Sequence, residues 1–327
     1  MDYIMKKDMM WGILLHLSTH EWQEPGSPPY GMYLNKPWKD ENNVDLETWD
    51  AVIAGLPQYG INTVLIDVGD AVQYDSHPEI SAPDAWSKDF MRQKLQEIRD
   101  LGMEPLPKLN FSTAHDIWMK EYSRMVSTEP YYQVCADLIK EVCEIFDNPR
   151  LFHLGMDEET AYYQATYDMT VIRHGKLWEH DLEFLCNECE KNGARPWIWP
   201  AFAMREHREF VEKQLSRNVL FSGGWFGNLL PKEQRVSRPQ DMDNADFLDE
   251  WDKLGFEQVG NCSTWGFKGN TIQLLRYCKD RLNPDRLLGF ITAPWLMTEK
   301  RELHGLLHGA CKLYNERKLV YPETIEE

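Results

Sequence analysis

The run Ile61-Asn-Thr-Val-Leu-Ile-Asp-Val-Gly69 is short and β-rich. A helical segment, Lys88 to Leu101, follows it, and then a second β-rich run, Glu104 to Phe111. Strand, helix, strand is the unit of a parallel sheet, because parallel neighbours need a long crossover. The same alternation extends in both directions. Before the unit lie a strand, Trp11 to Ser18, and a helix, Leu46 to Gln58. After it come the helix Tyr131 to Phe146, the strand Leu151 to Met156 and the helix Lys176 to Lys191. Strand five is Pro196 to Ala201, with the helix Glu206 to Leu215. Strand six is Val219 to Gly223, with the helix Ala245 to Lys253. Strand seven is Gln258 to Ser263, with the helix Thr271 to Arg281. Strand eight is Leu287 to Ala293, with the helix Arg301 to Arg317. Eight βα units with nothing left over predict an α/β chain folded as a (β/α)8 TIM barrel, one domain over residues 1–327. A doubly wound sheet also alternates strand and helix, but no G-x-G-x-x-G loop opens a helix here.

Local signals agree. Val134, Leu138, Val142 and Ile145 make one apolar stripe on the third helix. Gly60, Gly102, Gly193 and Gly255 each sit just past a helix, where a left-handed cap is wanted. The long connections, Thr19 to Val44, Glu159 to Gly175 and Phe226 to Asn244, all follow strands. They therefore belong to the C-terminal face of the barrel, where barrel active sites are built.

The 327 residues carry 35 Lys and Arg against 53 Asp and Glu, a net charge of −18. Nucleic acid and anionic membranes reward basic patches, so neither is an expected partner. No apolar run approaches the roughly 18 residues of a membrane span. Lys6 and Lys7 precede the apolar run Met9 to Leu17, which reads as a strand and not as a signal peptide. As written the chain reads as cytoplasmic, or as exported if a leader has been trimmed. Seven cysteines scattered over this length are no disulfide scaffold. Cys186 and Cys189 fall on the packed face of a helix. His304 and His308 share a helix face without the adjacent Glu of a zinc motif.

Side chains alternate along a strand. Ile13, Leu15 and Leu17 facing the helices turns His16 and Ser18 into the barrel. Val64, Ile66 and Val68 outside puts Leu65, Asp67 and Gly69 inside. Leu109 and Phe111 outside leaves Lys108 and Asn110 inside. Phe152, Leu154 and Met156 outside leaves His153, Gly155 and Asp157 inside. His16, Asp67, Lys108, Asn110, His153 and Asp157 therefore converge near one mouth, as a binding floor or as a structural ion-pair network. Buried polar groups of this kind need partners.

Strand four ends His153-Leu-Gly-Met-Asp-Glu158. Adjacent carboxylates at the catalytic end of a barrel strand suit general acid work, one protonated and one ionised. Glu159 adds a third negative charge, expected to raise a neighbour's pKa.

This stretch resembles the family 20 glycoside hydrolases, the β-N-acetylhexosaminidases. Their strand four carries H-x-G-G-D-E, with Met156 here in place of the second glycine. Leu106-Pro-Lys-Leu-Asn110, leading on to His115, resembles their I-P-E-I-D-x-P-G-H, with Lys108 and Asn110 in place of the two acids. The family's arginine at the end of strand one is absent, and His16, His20 and Glu21 stand there. The resemblance implies that Glu158 is the general acid/base. It also implies that Asp157 orients a substrate 2-acetamido group acting as nucleophile. Strand seven ends Asn261-Cys-Ser-Thr-Trp265 without an acid, which suits a substrate-assisted mechanism. It equally suits an inverting enzyme with Asp67, Asp70 or Glu21 as base.

Thirteen tryptophans are a high count, and Trp199, Trp225, Trp265 and Trp295 lie at or just past strands five to eight. Such a wall would stack on a sugar face and, by resemblance, cage an acetamido methyl. The expected substrate is a carbohydrate, with substrate-binding residues His16, Asp67, Lys108, Asn110, His115, His153, Trp199, Trp225, Trp265 and Trp295. No cofactor or metal is expected. A metal-dependent barrel isomerase or hydrolase using His16, Asp67, His153 and Asp157 is the alternative, and a carbohydrate-binding barrel without chemistry the third reading.

Overall fold

The computed structural model describes residues 9–27, 38–224 and 244–325. Eight parallel strands close into a barrel in chain order. They are β1 (Met10–His16), β2 (Thr63–Asp67), β3 (Glu104–Lys108), β4 (Leu151–His153), β5 (Arg195–Ile198), β6 (Leu220–Gly223), β7 (Gln258–Cys262) and β8 (Leu287–Thr292). The helices between and after them are α1 (Leu46–Gly55), α2 (Lys88–Asp100), α3 (Glu129–Ile145), α4 (Lys176–Lys191), α5 (Ala201–Glu206), α6 (Arg208–Lys213), α7 (Asn244–Leu254), α8 (Asn270–Arg281) and α9 (Leu303–Val320). No helix among the described residues is long and apolar enough to cross a membrane.

The expected helix Glu206 to Leu215 is instead two short helices, broken at His207. Strand five stops at Ile198, and Ala201 already opens α5. A 3-10 segment, Ile117–Arg124, which periodicity does not reveal, lies between β3 and α3. The four glycines past helices all take positive φ, from +59° to +86°.

Two apolar layers follow from alternation. Ile13, Leu15, Val64, Ile66, Leu109, Phe111, Phe152 and Leu154 pack outward against the helices. Leu14, Leu65, Leu106 and Leu151 point inward and plug the barrel with Trp197, Leu220, Val259 and Ile291. Burying one such side chain contributes about 1.5–3 kcal/mol. Two residues further along each of the first four strands stand His16, Asp67, Lys108 and His153. These four are register neighbours across successive strands, and His153 is in turn the neighbour of Trp197. A greasy plug thus supports a polar layer on the C-terminal side. Pro105 and Pro107 remove two donors from β3, and its ladder with β4 shrinks to the single pair Lys108–His153.

Candidate active site

The polar layer is a buried charge network. The Lys108 ammonium bonds the Asp67 carboxylate directly and lies 3.9 Å from Glu21 Oε2. His16 Nδ1 lies 3.4 Å from Asp67 Oδ2 and 3.6 Å from Glu21 Oε1. Burial alone would push Asp67 up, but the Lys108 ammonium overrides it and holds the carboxyl well below the usual range. Burial opposes the charge on Lys108 too, and Asp67 and Glu21 outweigh it, so its pKa is raised. Burial, then the Asp67 charge, pushes Glu21 upward.

His153 differs in kind. Burial and Lys108 lower its pKa well below the ordinary value, so the ring is neutral. Its Nδ1 accepts the Gly155 N–H at 3.0 Å, which fixes the proton on Nε2. The ring packs 4.3 Å from Trp199 and 4.8 Å from Trp197, centroid to centroid.

The carboxyl pair follows immediately. Gly155 has φ +72°, and a Cβ there would fall 1.8 Å from Asn110 Oδ1, so no other residue fits. Met156 (φ +67°) and Glu158 (φ +56°) are also left-handed without being glycine. Residues in such sparsely populated regions cost on the order of 1–3 kcal/mol each and cluster at functional sites. Ser112 Oγ donates to the Asp157 carbonyl, and Asn110 Nδ2 lies 3.5 Å from Asp157 Oδ1. Burial lifts the Asp157 carboxyl to about 6; the His115 charge opposes this and Glu158 adds to it. His115 Nε2 meets Glu158 Oε2 at 2.9 Å. Burial disfavours charge on His115, but Asp157 and Glu158 outweigh it and raise its pKa.

Glu159 acts on a different acid from its sequence neighbours. It is buried and engaged by the Arg173 guanidinium, with Nε 3.0 Å from Oε2, and the acid it helps to raise is Asp116, where its charge adds to the larger effect of burial. Arg173 also carried no sequence signal, since nothing in spacing ties residue 173 to residue 159.

Of the four tryptophans, Trp199 and Trp295 meet at a tilt of 56°, centroids 6.1 Å apart, Trp199 against His153 and Trp295 against His16. Trp265 is 48% exposed. Trp225 lies outside the described residues. Trp22 takes a place in the wall that the strand-end pattern misses, edge-on to His16 at 5.0 Å. Its only sequence clue is that it follows Glu21 on the long loop after β1.

The alternative bases divide. Asp70 is saturated by Ser18 Oγ (2.8 Å), Asn42 Nδ2 (3.2 Å) and His20 Nδ1 (2.5 Å). Asp67 is tied to Lys108. Glu21 keeps Oε1 without a hydrogen bond among the described residues. Among the described residues two donor groups are dense enough for a cation, His16 with Glu21 and Asp67, and His115 with Asp157 and Glu158. The foreseen set of His16, Asp67, His153 and Asp157 is not assembled among the described residues: His16 and Asp67 fall in one group, Asp157 in the other and His153 in neither.

No protein-family model matches the chain. No curated protein matches it either. Solved structures do. A GH20 exo-β-N-acetylglucosaminidase from Vibrio harveyi, in complex with N-acetylglucosamine, is 13% identical with a TM-score of 0.61, over 97% of this chain and 57% of that one. A Streptomyces plicatus β-hexosaminidase mutant in complex with its product is 10% identical with a TM-score of 0.60, over 96% and 68%. Dispersin B is 13% identical with a TM-score of 0.56, over 94% and 99%. The chain thus spans little more than half of the Vibrio harveyi protein, and what it shares with all three is the fold.

Proposed function

We propose that this barrel is a glycoside hydrolase that cleaves a terminal 2-acetamido hexoside by substrate-assisted, retaining catalysis. Glu158 is the general acid and then the base. Asp157 accepts a hydrogen bond from the acetamido N–H and aims its carbonyl oxygen at the anomeric carbon. His115 holds Glu158, and Asn110 holds Asp157. Trp199 and Trp295 stack on the ring and enclose the acetamido methyl, with Trp225 and Trp265 as further candidates for the wall. His16, Asp67, Lys108 and His153 form the floor under the sugar.

The observation that carries this reading is the pair itself: two consecutive carboxyls past β4, one on His115 at 2.9 Å and the other beside Asn110. The fold shared with solved N-acetylglucosaminidases supports it. Proton donation by a positioned carboxyl supplies about 10²–10⁴-fold in such reactions. A panel of nitrophenyl glycosides tests the proposal: N-acetylglucosaminide or N-acetylgalactosaminide should turn over, and glucoside or galactoside should barely react.

Glu21 favours a second reading. Its carboxyl is buried, its pKa is raised, and Oε1 has no hydrogen bond among the described residues. An inverting enzyme would use it as base, with water between it and the sugar, at about 6.5–9.5 Å from the acid. Equal rates on acetamido and hydroxyl substrates would select this reading.

A further inference from the structure

The β4–α4 connection raises a mechanical problem. Gly155, Met156 and Glu158 all hold left-handed backbone within four residues, and Asp157 sits between two of them. Such a conformation persists only where its surroundings over-determine it. The Ser112 hydroxyl on the Asp157 carbonyl is one restraint. The other begins at the next residue after the pair. Arg173 binds the Glu159 carboxylate through Nε and Nη2, the Phe111 carbonyl through Nη2 at 2.8 Å, and Asp181 Oδ2 through Nη1 at 3.2 Å. Its Nη2 also lies 3.9 Å from the Met156 sulfur. Phe111 lies just past β3, and its N–H bonds the Leu154 carbonyl at 3.0 Å. Asp181 belongs to α4 and is bonded by Tyr132 of α3 at 2.6 Å. All three charged side chains are at most 1% exposed.

We infer that Arg173 is a positioning residue for the carboxyl pair. One planar fork fixes Glu159, the end of β3 and helix α4 together, and so sets where Asp157 and Glu158 point. This rests on the role proposed above for those two residues. A buried ion network is weak evidence for stability, since apolar side chains of similar volume often serve as well. Its directional bonds, unlike apolar packing, define an angle, and Arg supplies them in a rigid geometry that Lys does not. Arg173 needs no contact with substrate. A displacement of about 1 Å at the pair is enough to cost on the order of 10²-fold in rate.

The test uses R173K and the double variant R173M/E159Q, which avoids stranding the Glu159 carboxylate and leaves Asp181 held by the Ser127 and Tyr132 hydroxyls. Cooperative thermal melting establishes that each is folded. On a nitrophenyl N-acetylglucosaminide, the double variant should lose about 10²-fold in kcat with KM changed less than about threefold, and R173K should fall between it and the parent. In parallel, ¹³C-carboxyl NMR should show the Asp157 titration midpoint move away from about 6 in the double variant. An unchanged kcat together with an unmoved midpoint overturns the inference, even if melting temperature drops. If the parent hydrolyses no acetamido sugar, the proposed function fails, and the Asp157 titration alone then decides the role of Arg173. A midpoint that stays in place overturns it.

Discussion

His115 and Glu158 are joined nitrogen to oxygen at 2.9 Å, although 43 residues of chain separate them. The contact bridges the loop after β3 and the loop after β4. It ties one carboxyl to an imidazole, while the neighbouring Asp157 has the Asn110 amide at 3.5 Å. The proposed chemistry depends on this unequal treatment of two adjacent acids.

Glu158→Gln should therefore lower turnover by about 10²–10⁴-fold while a sugar analogue still binds. Steady-state kinetics beside calorimetry of the analogue give both numbers. Parent-like turnover would remove Glu158 from the acid role.

Asp157→Asn should cost nearly as much in kcat, because the two residues act as one unit. A thiazoline analogue of the cyclised intermediate should bind the parent more tightly than substrate does, and the variant much less so. Thiazoline affinity no better than substrate affinity would count against acetamido attack.

The pH dependence has a definite sign. Asp157 must be ionised to receive the acetamido N–H, so kcat/KM should fall as pH drops through about 6. Stability runs the other way. The folded pKa lies above the ordinary carboxylate value of about 4, so this group stabilises the fold below about pH 4, and that contribution is lost as pH rises through about 6. Asp157→Asn should consequently melt higher than the parent at pH 7.5 and level with it at pH 4, by calorimetry at the two pH values.

Lys108→Met should strand the Asp67 carboxylate beside Glu21 inside the barrel. Breaking a buried pair in this way costs about 3–5 kcal/mol, and Asp67→Asn on the same chain should recover part of it. Urea unfolding of the two variants measures the difference, and no recovery would show that Asp67 and Lys108 are not energetically coupled.

Chelation should leave activity unchanged. Two donor groups among the described residues are close enough for an ion, but the first already holds an ammonium against Asp67. Loss of activity in EDTA, restored by a divalent cation, would bring the metal-dependent reading forward.

The barrel was legible because alternation and helix period are local. Val64, Ile66 and Val68 announce an outer face, and Asp67 must then point inward. The same parity placed His16, Lys108 and His153 in one layer. The partners chosen inside that layer were not legible. That Lys108 takes Asp67, that His153 takes the Gly155 amide, and that Glu159 turns away to Arg173 are outcomes of three-dimensional competition for hydrogen bonds. The break at His207 escaped for a related reason: Phe202 and Phe210 are both buried, one on each side of it, so packing overrode a single helical period.

Met156 has one further consequence. Its backbone is left-handed and its side chain fully buried among the helix-facing residues. Sliding this segment by one residue would drive Asp157 into the hydrocarbon that Met156 now fills and turn a thioether out of it. The methionine therefore works as a phase lock. It leaves the loop a single reading frame against the barrel, and the carboxyl pair inherits its aim from that frame.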